Sequence, residues 1–382
     1  MHVTKPKDFM DHTLPVESPP KTKASQSHPL RTVYFYLTKG CNLRCRHCWV
    51  SPPHETQEAH HTVLDSDLFN QIIDEAVPLG LKGIKLTGGE PLLHPQINLF
   101  LEQLIKRNLQ VTIETNGTLC TKERAQVIAR LTNCSVAVSV DGPSAEIHEW
   151  VRGVEGAFIL SVEGIRNLVS AGVRPQIIMT VMRYNKEYMA ETVRRAQEWG
   201  ASSVKFNFVM PIARGKRMTE EGETLSTEEL ITLSAYIEKE LSVTAKIPLY
   251  TNLPFSLWSL GNLFGRSKIP SSCAIFNIIG VLADGAYALC GIGESTPDFI
   301  FGHAGRDRLV DIWENTMVLQ KIRASLPGEL QGVCAKCILR NVCLGTCVAA
   351  NYYHTGDILK PYWLCEELYQ KDLFPLSRLR LA

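Results

Sequence analysis

From residue 31 to about residue 209 the chain repeats one alternation six times, a short β-rich run followed by an amphipathic helical stretch. The first unit sets Val33 to Thr38 before a stripe of Leu68, Phe69, Ile72, Ile73 and Ala76; the second sets Gly83 to Thr87 before Ile97, Leu101, Leu104 and Ile105. Further strands are predicted near 109–114, 135–140, 176–182 and 203–209, with helices around 121–131, 157–171 and 187–199 between them. Strands joined by helices run parallel, because the helix carries the chain back to the edge from which the strand started. Six such units predict an α/β fold, a parallel sheet curled as a partial or full barrel of TIM type, with its chemistry at the C-terminal strand ends. A helix from Thr227 follows, opened by a capping box of Ser226 and Glu229 and striped by Leu230, Leu233, Ile237 and Leu241. Past about residue 265 the periodicity weakens and Gly and Cys become frequent, as in a small irregular domain held by metal more than by a core. The expected organisation is a flexible extension over 1–30, a barrel with closing helices over 31–260, and a cysteine-rich domain over 261–382.

Charge removes several function classes. The 40 basic and 39 acidic side chains leave a net charge of +1, with no broad basic field for a nucleic-acid backbone and no polybasic block for an anionic membrane. No apolar run is long enough to span a bilayer, and Met1 to Leu30 has no apolar secretory core, so a cytoplasmic protein is expected. Twelve cysteines are then the anomaly, since a reducing compartment does not keep structural disulfides. Metal is the leading explanation. Cys41, Cys45 and Cys48 lie within eight residues; Cys273, Cys290, Cys334, Cys337, Cys343, Cys347 and Cys365 crowd the last third; Cys120 and Cys134 stand apart and read as small core residues.

The first cluster directly follows the first strand, in Thr38-Lys39-Gly40-Cys41-Asn42-Leu43-Arg44-Cys45-Arg46-His47-Cys48, so that three thiols project from one loop at the barrel mouth. Three ligands are one too few for a closed zinc site or a fully protein-ligated four-iron cluster. Either a fourth ligand comes from elsewhere or one coordination position is left for a substrate. Cys41-x3-Cys45-x2-Cys48 after the first strand of a repeated β/α chain resembles the signature of the radical S-adenosylmethionine (radical SAM) enzymes. The resemblance implies a [4Fe-4S] cluster on the three cysteines, whose open iron chelates S-adenosylmethionine and whose electron cleaves it to a hydrogen-abstracting 5'-deoxyadenosyl radical. It implies further that His47 packs against the adenine in the place of a usual aromatic. Gly88, Gly89 and Glu90, in Thr87-Gly88-Gly89-Glu90-Pro91, would bind the methionine amino group. Asn116, in Glu114-Thr115-Asn116-Gly117, and Ser139, in Ser139-Val140-Asp141-Gly142-Pro143, resemble the family's ribose and carboxylate contacts. Arg152, in a stretch read as a loop, would clamp that carboxylate or else be left in solvent.

Cys334-x2-Cys337-x5-Cys343-x3-Cys347, preceded by Cys273-x11-Gly285-x4-Cys290 and followed by Cys365, allows a zinc ribbon if the central four are taken alone. Seven thiols exceed one zinc, and their order and spacing resemble the SPASM extension of radical SAM enzymes. That resemblance implies two auxiliary [4Fe-4S] clusters, an inner one on Cys273, Cys290 and Cys347 and an outer one on Cys334, Cys337, Cys343 and Cys365, making three in all. Between Cys273 and Cys290 the extra cysteine of some relatives is missing, so the inner cluster is open at one iron or completed from elsewhere. Such enzymes mostly modify peptides, which implies a precursor-peptide substrate, an electron donor such as flavodoxin or ferredoxin, and oxidative modification, expected to be crosslinking. Sulfatase maturases place an Asp base after the second cysteine of the array, where this chain has Gly291. Formylglycine formation is therefore a runner-up, with small-molecule dehydrogenation and a non-catalytic iron–sulfur or zinc scaffold as further alternatives. No residue is assigned as catalytic base.

Overall fold

The computed structural model describes residues 28–52, 61–265 and 273–380. Residues 1–27 of the expected extension lie outside them, while Leu30 at its end is fully buried and its N–H donates to Leu79 O at 3.0 Å. Six strands appear where the alternation places them: β1 (Thr32–Tyr36), β2 (Gly83–Thr87), β3 (Gln110–Thr115), β4 (Cys134–Ser139), β5 (Gln176–Val181) and β6 (Ser203–Phe208). They pair in parallel in chain order. The crossovers carry α1 (Ser66–Ala76), α2 (Ile97–Arg107), α3 (Lys122–Ala129), α4 (Ala145–Arg152), α5 (Ala157–Ser170) and α6 (Met189–Glu198). After β6 come α7 (Arg214–Glu220) and α8 (Thr227–Tyr236), the latter opened by both hydrogen bonds of the expected capping box.

Three features depart from the sequence pattern. Helix α4 lies inside a crossover read as loop, and a short parallel strand, β7 (Leu249–Thr251), adds to β6. Three residues are too few to show a period of two. The sheet also continues past residue 260, because β8 (Ile278–Val281) pairs in parallel with the free side of β1 and leads into antiparallel β9 (Ala286–Ala288) and β10 (Ile300–His303). The resulting ten-stranded order is β10-β9-β8-β1-β2-β3-β4-β5-β6-β7, a partial barrel with the cysteine-rich segment grafted onto its first strand. The cross-strand order puts β1 near the middle, and aromatic packing fixes it there. Phe35 of β1 meets Phe69 of α1 at 4.6 Å between ring centroids, and Phe69 stacks on Phe100 of α2 at 4.3 Å. The loop that leaves β1 with the first cysteines therefore starts from one of the most tightly held points of the fold.

Candidate functional site

Side chains alternate across each strand, so Tyr34, Lys85, Glu114 and Lys205 occupy alternate positions to the core residues Phe35, Ile84, Ile113 and Val204, which are buried on the helix side. At the C-terminal strand ends Cys41, Cys45 and Cys48 line one cavity of about 190 Å³ with His47, Gly88, Gly89, Glu90, Asn116, Ser139 and Arg152. The structure thus brings together all ten residues that sequence reasoning assigned to the first cluster and its ligand. The approach is close: Gly89 N–H donates to Thr38 O and Glu90 N–H to Gly40 O, both at 3.0 Å. A Cβ on Gly89 would stand 1.9 Å from Gly40 O, so only glycine lets this strand end lie against the cysteine loop.

The polar groups around the triad are locked by one another. Glu90 is 1% exposed, and its Oε1 accepts from Leu92 N–H at 3.0 Å and from the Thr115 hydroxyl at 2.6 Å, while Oε2 accepts from Asn116 N–H at 2.8 Å. Burial raises its pKa against those bonds. Its carboxylate therefore fixes the third strand end to the second and keeps one acceptor position for a ligand. Asn116 Nδ2 donates to Asn42 Oδ1 at 2.9 Å, tying the same strand end to the cysteine loop.

Arg152 is neither in a loop nor in solvent. It ends α4, is 6% exposed, and its Nε lies 2.7 Å from Asp141 Oδ2 while Nη1 donates to Cys45 Sγ at 3.4 Å. The amphipathic spacing of Ile147, His148 and Val151, all buried, carries Arg152 inward. Burial opposes the charge on Asp141, but Arg152, with His47 and His148 beside it, holds the carboxyl below its ordinary range. His47 is pulled down to about 4 by burial, so its ring is neutral near pH 7, and its buried Nδ1 has no hydrogen-bond partner among the described residues. An orphaned imidazole nitrogen on a residue that lines the cavity fits a ligand that brings its own polar edge. Arg214, which the sequence reading did not single out, donates to Cys45 O at 3.1 Å and Pro52 O at 2.8 Å and lines the same cavity. Its signal was its position just after β6, at a C-terminal strand end.

The C-terminal cysteines lie about two further cavities, with Cys343 at both. Cys273, Cys343 and Cys347 line a larger cavity of about 750 Å³, to which Cys290 does not contribute. Burial raises the pKa of both Cys273 and Cys290, and Cys347 beside each of them raises it further, as charges sharing one place do. Cys334, Cys337, Cys343 and Cys365 line one small cavity of about 20 Å³, and Cys365 Sγ lies 3.4 Å from Ser256 Oγ. Among the described residues no three His, Cys, Asp or Glu side chains are drawn together as a single metal ion would require; the thiols surround volumes instead. Sulfur donors in threes and fours around a small volume are what iron–sulfur clusters demand. Gly291 follows Cys290 as expected, and the reason is steric. A Cβ there would meet Tyr36 Cε1 at 2.3 Å and Tyr36 Oη at 2.6 Å, so the tyrosine ring occupies the space a side chain at 291 would need.

Among the described residues no helix is long and apolar enough to cross a membrane. Comparison with known proteins agrees with the geometry. The radical SAM superfamily model matches residues 35–196, and the iron–sulfur cluster-binding SPASM model matches residues 273–338. The AdoMet-dependent heme synthase of Methanosarcina barkeri is 31% identical over 343 residues, 87% of this chain and 95% of that protein. The mycofactocin maturase MftC of Mycobacterium ulcerans is 25% identical over 319 residues, 83% of this chain and 82% of that protein. The fold is similar to that of Streptococcus suis SuiB bound to its precursor peptide SuiA, at TM-score 0.71 and 16% identity, covering 94% of this chain and 84% of that one. With the cysteine triad, the barrel and the cysteine-rich extension all in place, this chain belongs to the radical SAM superfamily and is one of its SPASM-bearing members.

Proposed function

We propose that the chain is a peptide maturase, an oxidoreductase that removes two electrons from side chains of a ribosomally made precursor peptide and joins them by a crosslink. Cys41, Cys45 and Cys48 would hold the cluster that binds S-adenosylmethionine, with Gly88, Gly89, Glu90, Asn116, Ser139, His47 and Arg152 around that ligand. The two C-terminal cysteine sets would hold the auxiliary clusters. Loaded in this way, the sites would supply a hydrogen-abstracting 5'-deoxyadenosyl radical and an acceptor for the second electron. The chain's own residues do the rest. Gly89 and Glu90 hold the cysteine loop against the strand ends, and the Asp141–Arg152 pair stiffens the floor beneath Cys45. Tyr36 fills the place of a side-chain base at 291.

The observation that carries the peptide reading is the border of the larger cavity. Strand β7 is the last of the sheet, and Tyr250, Thr251, Asn252 and Leu253 line the cavity that Cys273 and Cys347 also line. Glu114 lines both this cavity and that of the triad. An extended peptide can add to an open strand edge through its own backbone, with its side chains entering the lumen. The test is anaerobic incubation of the reconstituted protein with a precursor peptide encoded beside it. The expected product is lighter by about two daltons per crosslink, a loss of two hydrogens, with 5'-deoxyadenosine formed in step. An unshifted product, or formylglycine on a sulfatase-type peptide, overturns the crosslinking reading.

A second reading is favoured by the similarity to heme synthases over nearly their whole length. The substrate would then be a tetrapyrrole, a carboxylate-bearing ring for which a cavity of about 750 Å³ has room. Consumption of an iron porphyrin by the same holoprotein, with no change in any peptide, decides for it.

A further inference from the structure

Lys205 lies in the wall of the lumen without a counter-ion of its own. Its Cα partners across the sheet are Ile178 of β5 and Tyr250 of edge strand β7, and Ile178 in turn pairs with Ser139. Ser139 and Ile178 both line the cysteine-triad cavity, whereas Lys205 and Tyr250 line the larger one. The Lys205 rung is therefore where the two cavities adjoin. Two more charges face it. Lys85 Nζ lies 2.6 Å from Glu114 Oε1 and 4.9 Å from the centroid of the Tyr34 ring, so the one carboxylate among the described residues that line the larger cavity is already taken. Among the described residues no acidic group lies within ion-pair distance of Lys205 Nζ. Two cations share one anion in a half-buried space, which leaves one positive charge without a full partner. Burial accordingly pulls the Lys205 ammonium below its ordinary pKa, against the pull of Glu114 and with the push of Lys85.

We infer that Lys205 is the anchor for a carboxylate of the substrate, held in the lumen between the cysteine triad and the edge strand β7. This rests on the lumen being the substrate site. If the substrate is a peptide, the modified segment carries an Asp or Glu side chain; if it is a tetrapyrrole, one of its carboxylates takes the place. Sequence carried a signal that was passed over, a lysine set between the buried apolar residues Val204 and Phe206 of the strand Ser203–Phe208.

The experiment uses the cluster-loaded full chain and measures binding by calorimetry with matched acid and amide probes. One pair is acetyl-Gly-Glu-Gly-amide and acetyl-Gly-Gln-Gly-amide; the other is a porphyrin tetracarboxylate and its tetraamide. In at least one pair the acid binds ten-fold or more tightly than the amide. Lys205→Met removes that preference and Lys205→Arg keeps it. Lys85→Met also removes it, because the released Glu114 then pairs with Lys205, and the further change Glu114→Gln in that background restores it. The Glu114 steps separate an anchoring role from a merely structural one. Equal binding of acid and amide in both pairs, or a preference that survives Lys205→Met, overturns the inference. An acid preference only for the porphyrin keeps the anchor and removes the peptide reading. Crosslinked peptide product without any acid preference keeps the peptide reading and removes the anchor.

Discussion

Substituting Gly89 by Ala tests whether the strand end and the cysteine loop are as tightly apposed as their backbone bonds imply. The new Cβ would lie 1.9 Å from Gly40 O, 2.5 Å from Gly40 C and 3.2 Å from Cys41 N, all backbone atoms with no rotamer to absorb the clash. Ordinary contact begins near 3.4 Å, so the loop must retreat by about 1.5 Å. Two hydrogen bonds span that gap, Gly89 N–H to Thr38 O and Glu90 N–H to Gly40 O. Losing both costs about 2 kcal/mol and the overpacking about 1 to 3 more, so roughly 3 to 5 kcal/mol in all. A displacement of that size moves Cys41 well beyond the ~0.2 Å within which metal–ligand distances hold. Anaerobic iron and sulfide analysis should then fall from about twelve irons to about eight, with 5'-deoxyadenosine formation lost and the C-terminal sets still loaded. Gly261→Ala is the control, because a Cβ there meets nothing within 4 Å. Full loading and unchanged S-adenosylmethionine cleavage in Gly89→Ala would refute the reasoning, since the apposition would then not govern the triad.

Two further outcomes are expected. Replacing Cys41, Cys45 and Cys48 together by Ala abolishes 5'-deoxyadenosine formation while leaving about eight irons bound, read by the same analysis and by mass-spectrometric detection of the nucleoside. His148, whose Nδ1 accepts from Asp141 N–H at 3.1 Å, is pulled down to about 3 by burial and by Arg152. Below pH 6.5 the unfolded chain therefore holds a proton there that the folded chain does not. Stability should fall with pH from 6.5 toward 3, by up to about 1.4 kcal/mol per unit from this group, and His148→Gln should flatten the slope between pH 6.5 and 5 in urea unfolding.

How much of this was legible beforehand depended on whether a feature is written in periodicity or in three-dimensional pairing. Gly83–Thr87 and the Ser226–Glu229 capping box follow from local pattern and appear as read. The triad follows from spacing, three cysteines within eight residues, whereas the division of the C-terminal cysteines into two sets came from the family resemblance, since Cys273 and Cys347 stand far apart in the chain. Strand β7 was hidden by its length and α4 by the turn-like Asp141-Gly142-Pro143 before it. Arg152 looked like a surface residue because its partner, Asp141, also looked like a turn residue; each is buried only because the other is. Lys85, Glu114 and Lys205 sit on three different strands, and nothing in one dimension announces that their charges meet.

The pairing of β8 with β1 sets an order of events during synthesis. Strand β1 acquires β2 within about fifty residues, but its other neighbour emerges roughly 250 residues later, with Ile278–Val281. At the ~5 to 20 residues per second of translation, the free side of β1 waits on the order of ten to fifty seconds. During that time Thr32–Tyr36 offers an unpaired ladder beside the loop that bears three thiols, a template for pairing with another nascent copy. Expression yield for this chain should thus be governed by how soon residue 281 follows residue 32, and slowed elongation through the middle of the barrel should be more harmful than slowed elongation after it.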